Sequence, residues 1–211
     1  MTPPSDLTGR LVAASPHLHE GFFFRTVIFM VRHDDEGAFG LVINRPTDRR
    51  FRDHETTPPG PAPVRDDDFI FRGGPVGGPM LALHDVAGIG DPVGDGEAST
   101  IQWQDNPAEP HGSMNIDLSP SPFWITADSD QIALLVRRPD AGVRLFIQYA
   151  GWGPGQLENE CRGGGWLDCE AEPSVVFGDP DDVWQTVVER CGVDVLRSID
   201  PNLKPGDGGR N

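Results

Sequence analysis

FFFRTVIFMVRHDDEGAFGLVIN, residues 22–44, contains two runs of aromatic and β-branched side chains on either side of the acidic segment DDEG. Runs this apolar are typical of strands buried in a sheet. DDEG supplies turn-forming residues and a glycine at a length that joins antiparallel neighbours. The stretch therefore predicts a hairpin, with a central strand over 22–33 and its partner over 38–44.

Shorter apolar runs on both sides of the hairpin predict further strands, and three segments have helical spacing. The predicted strands cover 11–15, 69–72, 80–84, 123–126, 142–152 and 166–171, with weaker candidates at 101–103 and 114–118. The predicted helices cover 129–138, 154–162 and 179–191, the last with Asp179 as cap and Pro180 in its first position. Residues 45–68 contain five prolines and predict an irregular surface excursion. Strands that mostly precede helices indicate an α+β fold with a mixed or mostly antiparallel sheet in one domain.

Composition narrows the class of function. The 211-residue chain has a formal net charge of -16, which repels nucleic-acid backbones and anionic membranes, so direct nucleic-acid binding is not expected. Its three cysteines are odd in number and lack metal-binding spacing, and no apolar window is long enough to span a bilayer. We expect a cytoplasmic protein without membrane contact, cofactor or metal.

Several motifs together resemble the YqgE/AlgH family of bacterial proteins. They are LVAASPHL (11–18), GLVINRP (40–46), FRGGPV (71–76), LALHD (81–85) and YAGWGPGQLE (149–158). The resemblance implies one domain over 7–192 with flexible termini at 1–6 and 201–211. Its fold would be α+β, with a curved, partly barrel-like mixed sheet and flanking helices. Members are usually described as uncharacterised or as transcriptional regulators, a label from a genetic link to alginate production, with no established catalytic mechanism.

The chain departs from the family pattern at 47–66, a proline-rich surface insertion where members usually have a helix. Proline removes a backbone donor and clashes with the preceding turn, so this stretch cannot continue a helix.

The motif YAGWGPGQLE has two interpretations. Amides of Gly151, Gly153 and Gly155 at a helix start would form an anion site, with Gln156 and Glu158 beside them. Alternatively the glycines only make a sharp turn from strand to helix, with the tryptophan filling the core. No lysine, serine or threonine follows the glycines as in a nucleotide-binding loop, and the structural interpretation is favoured.

Arginine and asparagine side chains at apolar strands suggest a cleft. Arg25 is predicted inside a strand and needs a partner, for which Glu158 is the candidate. Asn44 and Arg45 either hold a ligand or close a turn. The residues predicted to line a ligand-binding cleft are Arg25, Asn44, Arg45, Gly73, Gly74, His84, Gly151, Trp152, Gln156 and Glu158.

These patterns support two hypotheses on function. The first is a non-enzymatic regulatory or binding protein that contacts a protein or small-molecule partner. The alternative is an enzyme with His33 or His84 as general base and Arg45 plus the glycine-turn amides stabilising an anion. His17 and His19 form a His-x-His pair without a third ligand, which favours a surface pair over a metal site.

Overall fold

The computed structural model describes residues 6–53, 65, 67–94 and 122–199. Within them it contains strands, α-helices and one short 3-10 helix, Phe51–Asp53. The strands are β1 (Arg10–Ala14), β2 (Val27–Asp34), β3 (Gly37–Val42), β4 (Pro46–Arg50), β5 (Phe69–Arg72), β6 (Leu81–His84), β7 (Asp91–Pro92), β8 (Trp124–Thr126), β9 (Val143–Ile147), β10 (Ala150–Trp152) and β11 (Trp166–Glu170). The α-helices are α1 (Ser129–Leu135), α2 (Gln156–Arg162), α3 (Pro173–Val176) and α4 (Val183–Ile199). The predicted strands at 101–103 and 114–118 lie outside the described residues.

The predicted hairpin forms the centre of the first sheet, sheet A. Its strand order is β10-β3-β2-β1-β11, and every pair in it is antiparallel. Strands β2 and β3 are paired from Ile28 opposite Val42 to Asp34 opposite Gly37, with a register shift between Met30 and Arg32. Sheet A therefore confirms the pairing that the apolar runs predicted.

The second sheet, sheet B, has the order β4-β5-β9-β6-β8-β7. Strands β5 and β9 are parallel, and the other pairs are antiparallel. The predicted α+β class with a mixed sheet is confirmed, and both sheets are open.

The two sheets pack face to face. Their inner faces form one apolar core, with Phe29 from sheet A and Phe146 from sheet B both fully buried. Helix α4 adds Val187 to this core. Helix α2 covers the outer face of sheet A through Leu157, and α1 covers the outer face of sheet B through Leu135. Burial of these apolar faces on three levels is the main source of stability.

Some predicted elements begin or end elsewhere. The central strand begins at Val27 rather than 22, because residues 22–25 form a turn. The predicted strand 142–152 splits into β9 and β10, which lie in different sheets. Gln148 has a φ of 64° between them, and this left-handed backbone redirects the chain from sheet B to sheet A.

The carboxyl end differs from the prediction in two places. The short helix α3 was not predicted, and in it Pro173 occupies the first turn, where its missing donor costs nothing. The last helix begins at Val183, not at 179. Asp179 instead accepts the Asp181 amide in a turn, at 3.0 Å.

The expected irregular excursion contains the strand β4, which was not predicted. Its first residue, Pro46, lies at the edge of sheet B, where a missing amide donor interrupts no ladder. Residues 54–64 and 66, which hold most of the proline-rich insertion, lie outside the described part of the chain.

Candidate functional site

The turn at residues 22–25 is held by the side chain of Asn44. Its Oδ1 accepts a hydrogen bond from the Val27 amide at 2.9 Å, and its Nδ2 donates to the Arg25 carbonyl at 2.9 Å. Both ends of the side-chain amide are therefore used, and the side chain is buried. Because one side chain fixes the end of the turn and the start of β2, it determines where the strand begins.

Arg45 and Thr26 bind two further carbonyl groups of the turn. Arg45 Nη2 donates to the Phe24 carbonyl, and Thr26 Oγ1 donates to the Phe23 carbonyl at 2.8 Å. Partial burial lowers the pKa of Arg45. Arg25 has a φ of 52°, in the left-handed region that residues with a side chain rarely adopt. Such a conformation persists only where surrounding contacts impose it.

Phe23 points inward and lies between two buried tryptophans. Its ring stacks on Trp152 with 6.0 Å between ring centroids, and it meets Trp166 edge-on at 5.4 Å. Trp152 is paired with Ala38 at the start of β3, whereas Asn44 follows the other end of that strand. The motifs GLVINRP and YAGWGPGQLE therefore meet directly, with Gly40 paired to Ala150, and the ring of Phe23 packs on the tryptophan of the second motif.

The two tryptophans share one acceptor, the carboxylate of Glu160. Its Oε2 accepts from Trp152 Nε1 at 3.0 Å and from Trp166 Nε1 at 2.8 Å, and its Oε1 accepts from Gln156 Nε2 at 2.9 Å. Sequence reasoning missed Glu160. The one signal for it is the spacing of four residues from Gln156, which places both on one face of a helix.

The turn exposes two aromatic rings and a cation. Phe22 and Phe24 are 37% and 36% exposed. The Arg25 guanidinium lies over the Phe24 ring at 5.3 Å and over the Trp184 ring at 5.1 Å. No carboxylate of the described residues forms an ion pair with Arg25. We call residues 22–25 the aromatic turn.

The expected pair of Arg25 with Glu158 was wrong. Arg25 lies in the turn rather than inside the strand, so its side chain packs on aromatic rings. Glu158 Oε1 instead lies 3.3 Å from His33 Nε2, close enough for an ionic contact but not aligned for a hydrogen bond. The His33 Nδ1 accepts the Leu7 amide at 3.1 Å, which ties the chain before β1 to β2.

Gly73 and Gly74, predicted for the cleft, are points of close backbone approach. A Cβ on Gly73 would lie 2.4 Å from the Gln148 carbonyl oxygen, and one on Gly74 would lie 2.0 Å from Tyr149 backbone atoms. Glycine is required at both positions because the backbone of Gln148 and Tyr149, where the chain crosses from sheet B to sheet A, passes too close for a side chain. Gly151 lies in the edge strand β10 and is exposed.

The glycine turn before α2 has its own internal contacts. The Gly153 amide donates to Gln156 Oε1 at 3.2 Å, and Gly155, with a φ of 70°, caps the helix. These contacts support the structural interpretation of the motif.

His84 lies in sheet B, away from these residues. It is fully buried, and its Nδ1 accepts the Val86 amide at 3.2 Å. Its Nε2 has no hydrogen-bond partner among the described residues. Burial lowers the pKa of His84 to about 4, so its ring is neutral at physiological pH. His17 and His19 are both exposed.

The other groups that could react or bind a metal show no sign of doing so in the described part of the chain. Burial, followed by the negative charges of Asp168, Glu160 and Glu158, raises the pKa of the Cys161 thiol to about 11, which keeps it protonated. No cluster of three or more His, Cys, Asp or Glu residues there is arranged to hold a metal. The helices of the described residues include none with the length and apolarity needed to cross a membrane.

Solved structures with the same fold come from other bacteria. The solution structure of the AlgH protein from Pseudomonas aeruginosa matches with a TM-score of 0.58 and 23% identity, covering 100% of this chain and 99% of that one. A crystal structure of a Corynebacterium diphtheriae protein matches with a TM-score of 0.56 and 22% identity, covering 94% and 87%.

Sequence relatives cover most of both chains. A UPF0301 protein of Streptomyces coelicolor is 34% identical over 206 residues, covering 90% of this chain and 89% of that protein. A UPF0301 protein of Ruegeria pomeroyi is 30% identical over 201 residues, covering 90% and 95%. A family model described as AlgH-like matches residues 11–196. The chain therefore belongs to the AlgH-like family, which its motifs had indicated.

Proposed function

We propose that this chain is a non-enzymatic regulatory or binding protein that acts through protein contacts, with the aromatic turn as its recognition element. One observation carries the proposal: a turn with a left-handed arginine, held by Asn44 and Arg45, exposes two phenylalanines and a cation. Arg25, Asn44, Arg45 and Trp152 of the predicted cleft act in this proposal as the recognition residue and its supports.

The support of the turn is stronger than an ordinary surface loop requires. The side chains of Thr26, of Asn44 and Arg45 after β3, and of Trp152 in β10 all contact it. Rigid presentation lowers the entropy lost on binding, so a partner meets a surface already in its bound shape. Single exposed apolar side chains are common, but two on one strained turn mark an interaction surface.

The chemistry of the turn specifies the partner. Aromatic and arginine side chains are enriched at the cores of protein interfaces and supply many hot spots. The Arg25 guanidinium packs on rings and has donors available for a carboxylate. The partner is therefore a protein segment with an apolar surface beside a carboxylate group.

Site-specific photocrosslinking tests this proposal. A photoreactive phenylalanine analogue replaces Phe22 in cells that express the full chain, and adducts are resolved by mass. We expect one discrete adduct, which Arg25→Glu abolishes and Arg25→Lys weakens. A matched control carries the analogue at Leu134, which is 56% exposed on α1, at the outer face of sheet B.

Two results would overturn the proposal. One is an adduct pattern that is the same from positions 22 and 134. The other is a discrete adduct at position 22 that persists unchanged in Arg25→Glu. Because Arg25 is exposed, its substitution leaves the core intact, and a thermal melt of each variant verifies this.

No observation favours the enzyme hypothesis to the same degree. His33 and Glu158 lie within 3.3 Å, but the His33 side chain is buried and its Nδ1 is occupied by the Leu7 amide. His84 is fully buried in β6, and no hydrogen bond of the described residues joins its side chain to Arg45.

A further inference from the structure

A cleft of about 760 Å³ opens at the amino ends of the parallel strands β5 and β9. Its volume is in the range of small-molecule sites, roughly 300 to 1,000 Å³. Phe71 and Val143 line it, together with the turn from Phe177 to Asp181 before α4. None of the residues of the aromatic turn contributes to it.

Arg144 lines this cleft and is only 4% exposed. Its guanidinium donates to the carbonyl groups of Ile43 and Gly178 and lies over the Phe71 ring at 4.5 Å. A guanidinium has five N–H donors, so these two bonds leave capacity unused. None of the described carboxylates forms an ion pair with it. Burial lowers the pKa of Arg144 to about 10, and Asp179 opposes that shift, so the group is cationic.

The other cations of the cleft already have partners. Arg65 forms an ion pair with Asp68 at 2.9 Å and donates to the Arg138 carbonyl at 3.0 Å. Arg50 lies over the Phe69 ring at 3.5 Å. Arg144 is therefore the lining cation with room for a ligand carboxylate.

The turn before α4 adds negative charge to the lining of the cleft. Asp179 and Asp181 both line the cleft and are exposed. Asp179 acts on Arg144 electrostatically without direct ion-pair contact. The lining of the cleft thus combines a buried cation, exposed carboxylates and the apolar side chains of Phe71, Val143 and Phe177.

We propose that this cleft binds a small zwitterion of the apolar amino acid class. The ligand carboxylate pairs with the free donors of Arg144 in a fork geometry. The ligand ammonium group lies toward Asp179 and Asp181, and its apolar side chain packs on the phenylalanine rings. The two aspartates would repel a purely anionic ligand, and Arg144 would repel a purely cationic one, so the binding of either is disfavoured.

Isothermal titration calorimetry of the full chain tests this with matched probes. L-phenylalanine carries both charges, 3-phenylpropanoate lacks the amine, and 2-phenylethylamine lacks the carboxylate. We expect saturable binding of L-phenylalanine, L-leucine or L-methionine. For the L-phenylalanine series, each single-charge analogue is expected to bind at least about tenfold more weakly.

The variant Asp179→Asn removes a negative charge from the cleft lining and leaves the Arg144 cation and the core in place. It is expected to weaken L-phenylalanine binding about tenfold while leaving 3-phenylpropanoate binding unchanged or tighter. Asp182→Asn is the matched control, since Asp182 is exposed and outside the cleft lining, and it should bind as the parent does. The proposal is overturned if none of the three amino acids binds up to about 10 mM, a weak limit on the affinity scale. Equal affinity for 3-phenylpropanoate and L-phenylalanine would also overturn it.

Discussion

The aromatic turn and the Arg144 cleft differ in how completely their buried polar groups are hydrogen-bonded, although residues 43–46 contact both. At the turn, Asn44 uses both ends of its side-chain amide, and Glu160 accepts from three donors. At the cleft, Arg144 makes two hydrogen bonds to backbone carbonyls and pairs with no described carboxylate. Complete hydrogen bonding identifies a framework that presents a surface, and incomplete hydrogen bonding identifies a site that can still accept a ligand.

Trp152→Ala should have the largest effect, because it removes the ring on which Phe23 stacks. We expect the free energy of unfolding to fall by about 3 to 5 kcal/mol, as for other buried tryptophans cut to alanine. Urea unfolding followed by circular dichroism measures it. Phe22→Ala in the same turn serves as the control and should change stability by less than about 0.5 kcal/mol, because its ring is exposed. Similar losses in both variants would mean that the turn is part of the core and does not present a surface.

Asn44→Ala should have the next largest effect. It leaves the Val27 amide and the Arg25 carbonyl without their side-chain partner, at a cost of about 1 to 3 kcal/mol. Asn44→Asp keeps the acceptor but loses the donor, so it also sets a carboxylate against the Arg25 carbonyl. Urea unfolding gives the stability of each. Crosslinking from position 22 should weaken in both variants, and a loss of stability with crosslinking intact would show that the clamp does not shape the recognition surface.

The sequence predicts what depends on local pattern. The hairpin of β2 and β3 follows from two apolar runs and a turn segment, and α1 follows from helical spacing. The start of β2 could not be predicted from local pattern, because the left-handed Arg25 is imposed by Asn44, which is 19 residues further along the chain.

The candidate site residues also divide into those that a local pattern indicates and those that only folding brings together. Asn44 and Arg45 stand out because polar residues end an apolar strand, and the structure places them beside the aromatic turn. Arg144 lies inside the β9 run RLFI and gives no signal of a cleft, since part of the cleft lining comes from residues 177–181. Glu160 was also missed, because its role depends on two tryptophans brought together only by folding.

His84 gives a pH-dependent comparison within sheet B. Burial lowers the pKa of its ring from 6.5 to about 4 in the folded chain. Between these pKa values the unfolded chain binds a proton that the folded one does not, so stability falls as the pH decreases. From about pH 7 to about pH 5.5, His84 should account for a loss of roughly 1 kcal/mol.

The measurement compares the parent with His84→Leu by urea unfolding at both pH values, above the sequence pI of about 4.5. The variant should lose less stability than the parent on acidification, whatever its absolute stability. An identical pH dependence in the two proteins would show that His84 accepts a proton in the folded state and that its Nε2 is hydrated or paired.

Arg144→Met should have the smallest effect on stability, and this is the sharpest test of the contrast between the two regions. Methionine keeps much of the apolar stem and removes a buried cation whose desolvation is only partly offset by two carbonyl contacts, and such replacements are often neutral or stabilising. We expect a change of less than about 1 kcal/mol in the free energy of unfolding, together with loss of the L-phenylalanine heat signal in calorimetry. A buried cation that is present although it lowers stability is best explained by a role in binding. If Arg144→Met instead destabilised the chain as much as Asn44→Ala, the arginine would belong to the framework that joins residues 43–46 to the turn before α4, and the contrast between the two regions would disappear.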